Sequence, residues 1–89
     1  MALFYDIVFN KDSRRHEIEF VNQQFDYLMG IYYDVAAGTY RLSLPLEEAR
    51  AISKSWGGRD FDLDYWLKLA QQELTEHDLK YPNGKEENS

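Results

Sequence analysis

The sequence predicts an α+β domain: an antiparallel sheet of three to four strands built from N-terminal hairpins, with two C-terminal α-helices packed on one face. Three observations predict it. Two-residue alternation of apolar and polar side chains dominates the first half of the chain. Helical periodicity with recognisable caps dominates the second half. Strands first and helices last is the order that segregates helices to one side of an antiparallel sheet.

Leu3 to Phe9 is rich in β-branched and aromatic residues, with Leu3, Tyr5, Ile7 and Phe9 on one face of the expected strand. Asn10-Lys11-Asp12-Ser13 is turn chemistry, because such side chains hydrogen-bond the local backbone. Residues 15–21 then alternate, Ile18 and Phe20 against Glu17 and Glu19, which completes a hairpin with the acids on the wet face. Residues 22–36 admit two readings. Val21, Phe25, Leu28, Tyr32 and Val35 fall on a helical stripe. Against a helix stand Asn22, Gly30, Tyr32, Tyr33 and Asp34, all mediocre helix formers. Ala36-Ala37-Gly38-Thr39 fits a hairpin turn closed by a left-handed glycine, so strands at 26–34 and 39–44 are preferred.

Pro45 is expected at the first position of a helix, with Glu47 and Glu48 where the helix dipole favours negative charge. Leu46, Ala49, Ile52 and Trp56 form its apolar stripe, and Gly57-Gly58 ends it. Asp62 caps the second helix, and Phe61 can staple onto Trp66. Leu63, Trp66, Leu67, Ala70 and Leu74 make its inner face, which runs to about His77 or Leu79. Tyr81-Pro82-Asn83-Gly84 is a stop signal. The reading is one domain over 1–81 and a flexible polar tail over 82–89.

Bulk properties narrow the function. A length of 89 residues suits one core, and the absence of cysteine removes disulfides and thiolate chemistry. A net charge of −6 disfavours direct binding to nucleic acid or to anionic membranes. No apolar stretch is long enough to span a bilayer, and Met1 to Asp6 lacks the basic and apolar regions of a leader, so a cytoplasmic location is the default expectation. Seven Tyr, five Phe and two Trp are more aromatic surface than a core this small readily hides. Surplus rings at a surface serve as binding anchors.

Asp60-Phe61-Asp62-Leu63-Asp64 has the spacing that opens a calcium loop, but the loop's glycine and bidentate glutamate are replaced by Tyr65 and Gln71. His16 is expected to face outwards or flank the first hairpin, and His77 to sit in the last helical turn. Neither has the spacing of a metal ligand or the neighbours of a general base. Gly57-Gly58-Arg59 lacks a phosphate-loop pattern, and aspartates crowd it. Lys11, Arg14 and Arg15 are too few to hold nucleic acid. No catalytic, cofactor or metal site is therefore expected.

Two features are left as binding candidates. One is the tyrosine-rich hairpin of Tyr27, Tyr32, Tyr33 and Tyr40, where alternation sends some of the rings to the solvent face; the acids Glu17 and Glu19 of the first hairpin's wet face are candidate contacts to a basic partner. The other is the segment from Trp56 to Trp66, with Arg59, Asp60, Asp64 and Tyr65. The function expected is a small acidic, non-enzymatic protein-binding module, an inhibitor or accessory regulator. Its partner is another protein, with a basic nucleic-acid-binding one the sharper expectation, since acidic binders associate quickly with basic surfaces. In size and charge the chain resembles the small anti-restriction and anti-CRISPR proteins of phages and plasmids, a compositional resemblance that carries no motif and assigns no residue. The alternatives are a homodimer or larger assembly joined through an exposed strand edge and, ranked below it, an enzyme or small-ligand site assembled across the fold.

Overall fold

The computed structural model describes residues 3–57 and 59–84. Four strands, β1 (Phe4–Asn10), β2 (Arg15–Val21), β3 (Tyr27–Asp34) and β4 (Thr39–Leu42), form an antiparallel meander in the order β1-β2-β3-β4. Helices α1 (Leu46–Gly57) and α2 (Leu63–Lys80) follow. This is the α+β architecture expected, and residues 27–34 are strand rather than helix.

Local chemistry accounts for the connections. Asn10 Oδ1 accepts from the Asp12 and Ser13 amides, and the turn closes with Arg14 at φ 59°. Gly38, at φ 71°, closes the β3–β4 turn as the sequence suggested, with Asp34 Oδ1 accepting from the Ala37 amide. Asp62 caps α2 by accepting from the Tyr65 amide at 3.2 Å, and the Phe61 ring lies parallel to Trp66, 6.4 Å between centroids.

Three boundaries differ from expectation. Pro45 stands just before α1, its carbonyl accepting from Ala49, so it is the residue that precedes the first helical position. Strand β4 stops at Leu42, because Ser43 turns its hydroxyl to the Gly30 amide at 2.9 Å. Residues 82–84 turn back onto the first hairpin: Arg14 donates to Asn83 Oδ1 at 2.9 Å, and Gly84 packs on Phe9 so closely that a Cβ would collide with the ring. The rest of the expected tail, 85–89, lies outside the described residues, as does Gly58.

The core lies between one face of the sheet and the helices. Ile18 and Phe20 of β2, Met29 and Ile31 of β3 and Leu74 of α2 are its largest fully buried side chains. Each stabilises the fold by about 1.5–3 kcal/mol relative to exposure. Helix α2 packs across β2 and β4. Among the described residues no helix lies on the opposite face of the sheet. No helix among the described residues is long and apolar enough to cross a membrane.

Candidate functional site

Strand register decides which side chains share the open face. Phe4 pairs with Val21, Asp6 with Glu19 and Val8 with Glu17 across β1 and β2, while Val21 pairs with Tyr27 and Glu19 with Gly30 across β2 and β3. Because partners directly opposite point the same way, these residues and Tyr32 lie opposite the core. Asp6 and Glu19 are thus two carboxylates set face to face, an arrangement that destabilises a sheet. Among the described residues, neither they nor Glu17 ion-pair with a lysine or arginine.

Glu17 is the most constrained of the three. Burial raises its pKa above the ordinary carboxylate value, the Asn10 amide bond at 3.0 Å lowers it, and the neighbouring Glu19 charge raises it further. Beside it the sheet surface dips. Gly30 forms the floor, since a Cβ there would stand 2.9 Å from both the Ile18 carbonyl and the Tyr27 hydroxyl. The Tyr27 ring lies over this glycine, and its hydroxyl donates to Ser43 Oγ at 3.2 Å. Glu17, Glu19, Tyr27 and Tyr32 rim the depression. Carboxylates and aromatic rings about one small concavity are the groups that hold a lysine or arginine side chain, by ion pairing and by cation–π attraction.

The rim continues to the end of the sheet through exposed Phe4, Tyr27 and Phe25. Phe25 is held at φ 64°, a conformation unusual for a bulky residue, and 81% of it is exposed. Asn22 enforces this geometry. It is buried, its Oδ1 accepts from the Gln24 and Asp26 amides, and its carbonyl accepts from Phe25.

The other expected binding residues are elsewhere. Tyr33 and Tyr40 face the helices, with ring centroids 5.1 Å apart. Tyr40 is buried with its hydroxyl 3.3 Å from Thr75 Oγ1, which corrects its expected place at a surface. Arg15 lies over the Tyr33 ring, 4.3 Å from the centroid. Trp56 is half-buried on α1, and Arg59, Asp60, Asp64 and Tyr65 are exposed around the start of α2. Asp60 pairs with Lys54 at 3.3 Å and Asp62 is occupied as a cap, so the aspartates do not converge. Among the described residues no group of three or more metal-ligating side chains could hold an ion.

His16 is a further correction. It is 2% exposed, turned into the helix-facing side of β2. Asp78 Oδ1 accepts from its backbone N–H at 2.7 Å and from Nδ1 at 2.8 Å. His77 lies 5.5 Å away, with its own Nδ1 donating to the Glu73 carbonyl. These bonds pin the end of α2 to β2. Ser53 of α1 is also buried, and donates to the Arg59 carbonyl at 2.9 Å.

Sequence reasoning missed Asp6, Phe4 and Phe25 as parts of the open-face site. The signal for the first two was present, since placing Leu3, Tyr5, Ile7 and Phe9 inward leaves Phe4 and Asp6 outward. Comparison with protein-family models, with curated proteins and with solved structures finds no match to this chain.

Proposed function

We propose that the protein is a non-catalytic binding module whose open sheet face takes a cationic surface of another protein. The observation that carries the reading is the row Asp6–Glu19–Glu17, like charges set side by side without a basic partner among the described residues. Such a row raises the energy of the isolated fold, and an incoming lysine or arginine relieves it. The depression that Glu17, Glu19, Tyr27 and Tyr32 rim, beside the Gly30 that Tyr27 covers, supplies a place for one such side chain, and Phe4, Tyr27 and Phe25 supply the apolar anchors near it. A net charge of −6 adds long-range steering towards a basic partner.

Within this reading the preferred partner is a protein whose basic groove otherwise holds nucleic acid, because that groove offers the most extended cationic surface. The protein then acts as an inhibitor or regulator by occupancy. Capture from native lysate at low and high salt tests this, with wild type compared against Glu17→Gln/Glu19→Gln. A basic partner held at low salt, released at high salt and lost with the double variant is the expected result. A partner retained equally by both proteins at every salt concentration would rule out the open face.

A further inference from the structure

We infer that β1 is a self-association edge, to which a second copy of the chain adds its own β1 antiparallel about a twofold axis at Ile7. The hydrogen-bond pattern shows which backbone groups face outwards. Gly30 donates to Ser43 Oγ and accepts from the Ser43 amide, so its backbone groups point towards β4. Glu19, opposite Gly30, therefore turns its own groups towards β1, where it faces Asp6. Alternation leaves the N–H and C=O of Tyr5, Ile7 and Phe9 on the outer edge.

The two edges of the sheet are unlike. Strand β4 has four residues and carries Arg41. Strand β1 has seven, FYDIVFN, with no proline, no lysine and no bulge in its pairing with β2. A long apolar edge without such protection is a template for another strand. Its one device is Asp6, whose Oδ1 accepts from the Ile7 amide at 2.9 Å.

A second copy fits this edge by self-complementarity. With Ile7 opposite the partner's Ile7, Tyr5 faces the partner's Phe9, and Asp6 faces the partner's Val8, so no charge meets its like directly. The two Tyr5–Phe9 pairs exchange four bonds, and the Ile7 pair adds two more when its amides leave Asp6, about four to six in all, which at one per 100–200 Å² corresponds to roughly 400–1,200 Å² of interface. That is the size of a weak, reversible dimer. On the helix side the Tyr5 ring rests edge-on against Trp66 of α2 yet stays 49% exposed, while Gly84 packs on Phe9, so the ledge is open to a symmetry mate at its Tyr5 end. The product is a continuous sheet twice the width of the four-stranded one.

The test uses the absence of cysteine from the chain. Sedimentation of the wild type is followed from about 1 µM to 1 mM, the range of a weak interface. Ile7→Cys and Val8→Cys are then oxidised separately. Residues directly opposite in a hydrogen-bonded pair have Cα atoms about 5.5 Å apart, within disulfide reach, whereas diagonal neighbours at about 7–8 Å are beyond it. The expected results are a concentration-dependent dimer, cross-linking of Ile7→Cys and little of Val8→Cys. Asp6→Ala, which frees the Ile7 amide, should tighten the dimer about tenfold. Added salt should strengthen self-association between two acidic chains and weaken binding to a cationic partner, so failure of this inference and failure of the functional reading are distinguishable. A monomer across the whole range, or a dimer that Ile7→Cys does not cross-link, would overturn the inference.

Discussion

Replacing Phe25 by glycine should leave the fold as stable as before or slightly more so, although it deletes an entire aromatic side chain. The left-handed conformation at φ 64° costs a non-glycine residue about 1–2 kcal/mol, which glycine avoids. Glycine in turn loses about 0.4–1 kcal/mol through the greater freedom of its unfolded chain. The ring is 81% exposed, so its burial contributes only about a fifth of the usual aromatic value, roughly 0.3–0.6 kcal/mol. Phe25→Gly is therefore expected near +0.5 kcal/mol, a rise of about 2–4 °C in Tm. Phe25→Ala separates the two effects. It deletes the ring but keeps the backbone penalty, and should fall about 1 kcal/mol below the glycine variant. Urea unfolding of the three proteins reads both quantities. If alanine proves as good as glycine, residue 25 is not held left-handed. If both variants lose more than about 2 kcal/mol, the ring belongs to the core.

Other predictions follow from the same contacts. Glu17→Gln should stabilise the protein at neutral pH: a carboxyl whose folded pKa is raised favours folding below its unfolded value and loses that contribution as pH rises through the folded one. The advantage of the variant should vanish in denaturation curves taken below about pH 4. Gly30→Ala should destabilise by about 1–3 kcal/mol in urea, since the new methyl meets the Ile18 carbonyl, which cannot swing aside as Tyr27 can. Asp78→Ala should cost about 1–3 kcal/mol by leaving the His16 amide and Nδ1 without their acceptor, and hydrogen exchange at the end of α2 should accelerate.

Elements whose chemistry is local were legible in the sequence. Asp62 with Phe61 and Trp66 marks the start of α2, Gly38 marks the β3–β4 turn, and the alternation of Glu17, Ile18, Glu19 and Phe20 fixes which face of β2 is wet. What escaped depends on partners distant in the chain. His16 reads as a hairpin residue until Asp78, 62 positions later, is seen to accept from it twice. Tyr40 reads as a surplus ring until Thr75 and Tyr33 enclose it. The left-handed Phe25 has no sequence signature of its own, because the geometry is imposed by the side chain of Asn22. Of the open-face residues, Glu17, Glu19, Tyr27 and Tyr32 were legible in the sequence from alternation. Alternation turns Asp6 outward, but its place opposite Glu19 required the register of the first hairpin, which four turn residues between β1 and β2 determine.

The most direct test of the open face is a titration of the isotopically labelled protein with an arginine-rich peptide, followed by amide chemical shifts at low and high salt. Shifts centred on Glu17, Glu19, Gly30 and Tyr32 are expected, abolished by salt, with the affinity lowered about tenfold or more by Glu17→Gln/Glu19→Gln. Shifts that centre instead on α1 and α2, or a response indifferent to both salt and the double substitution, would contradict it.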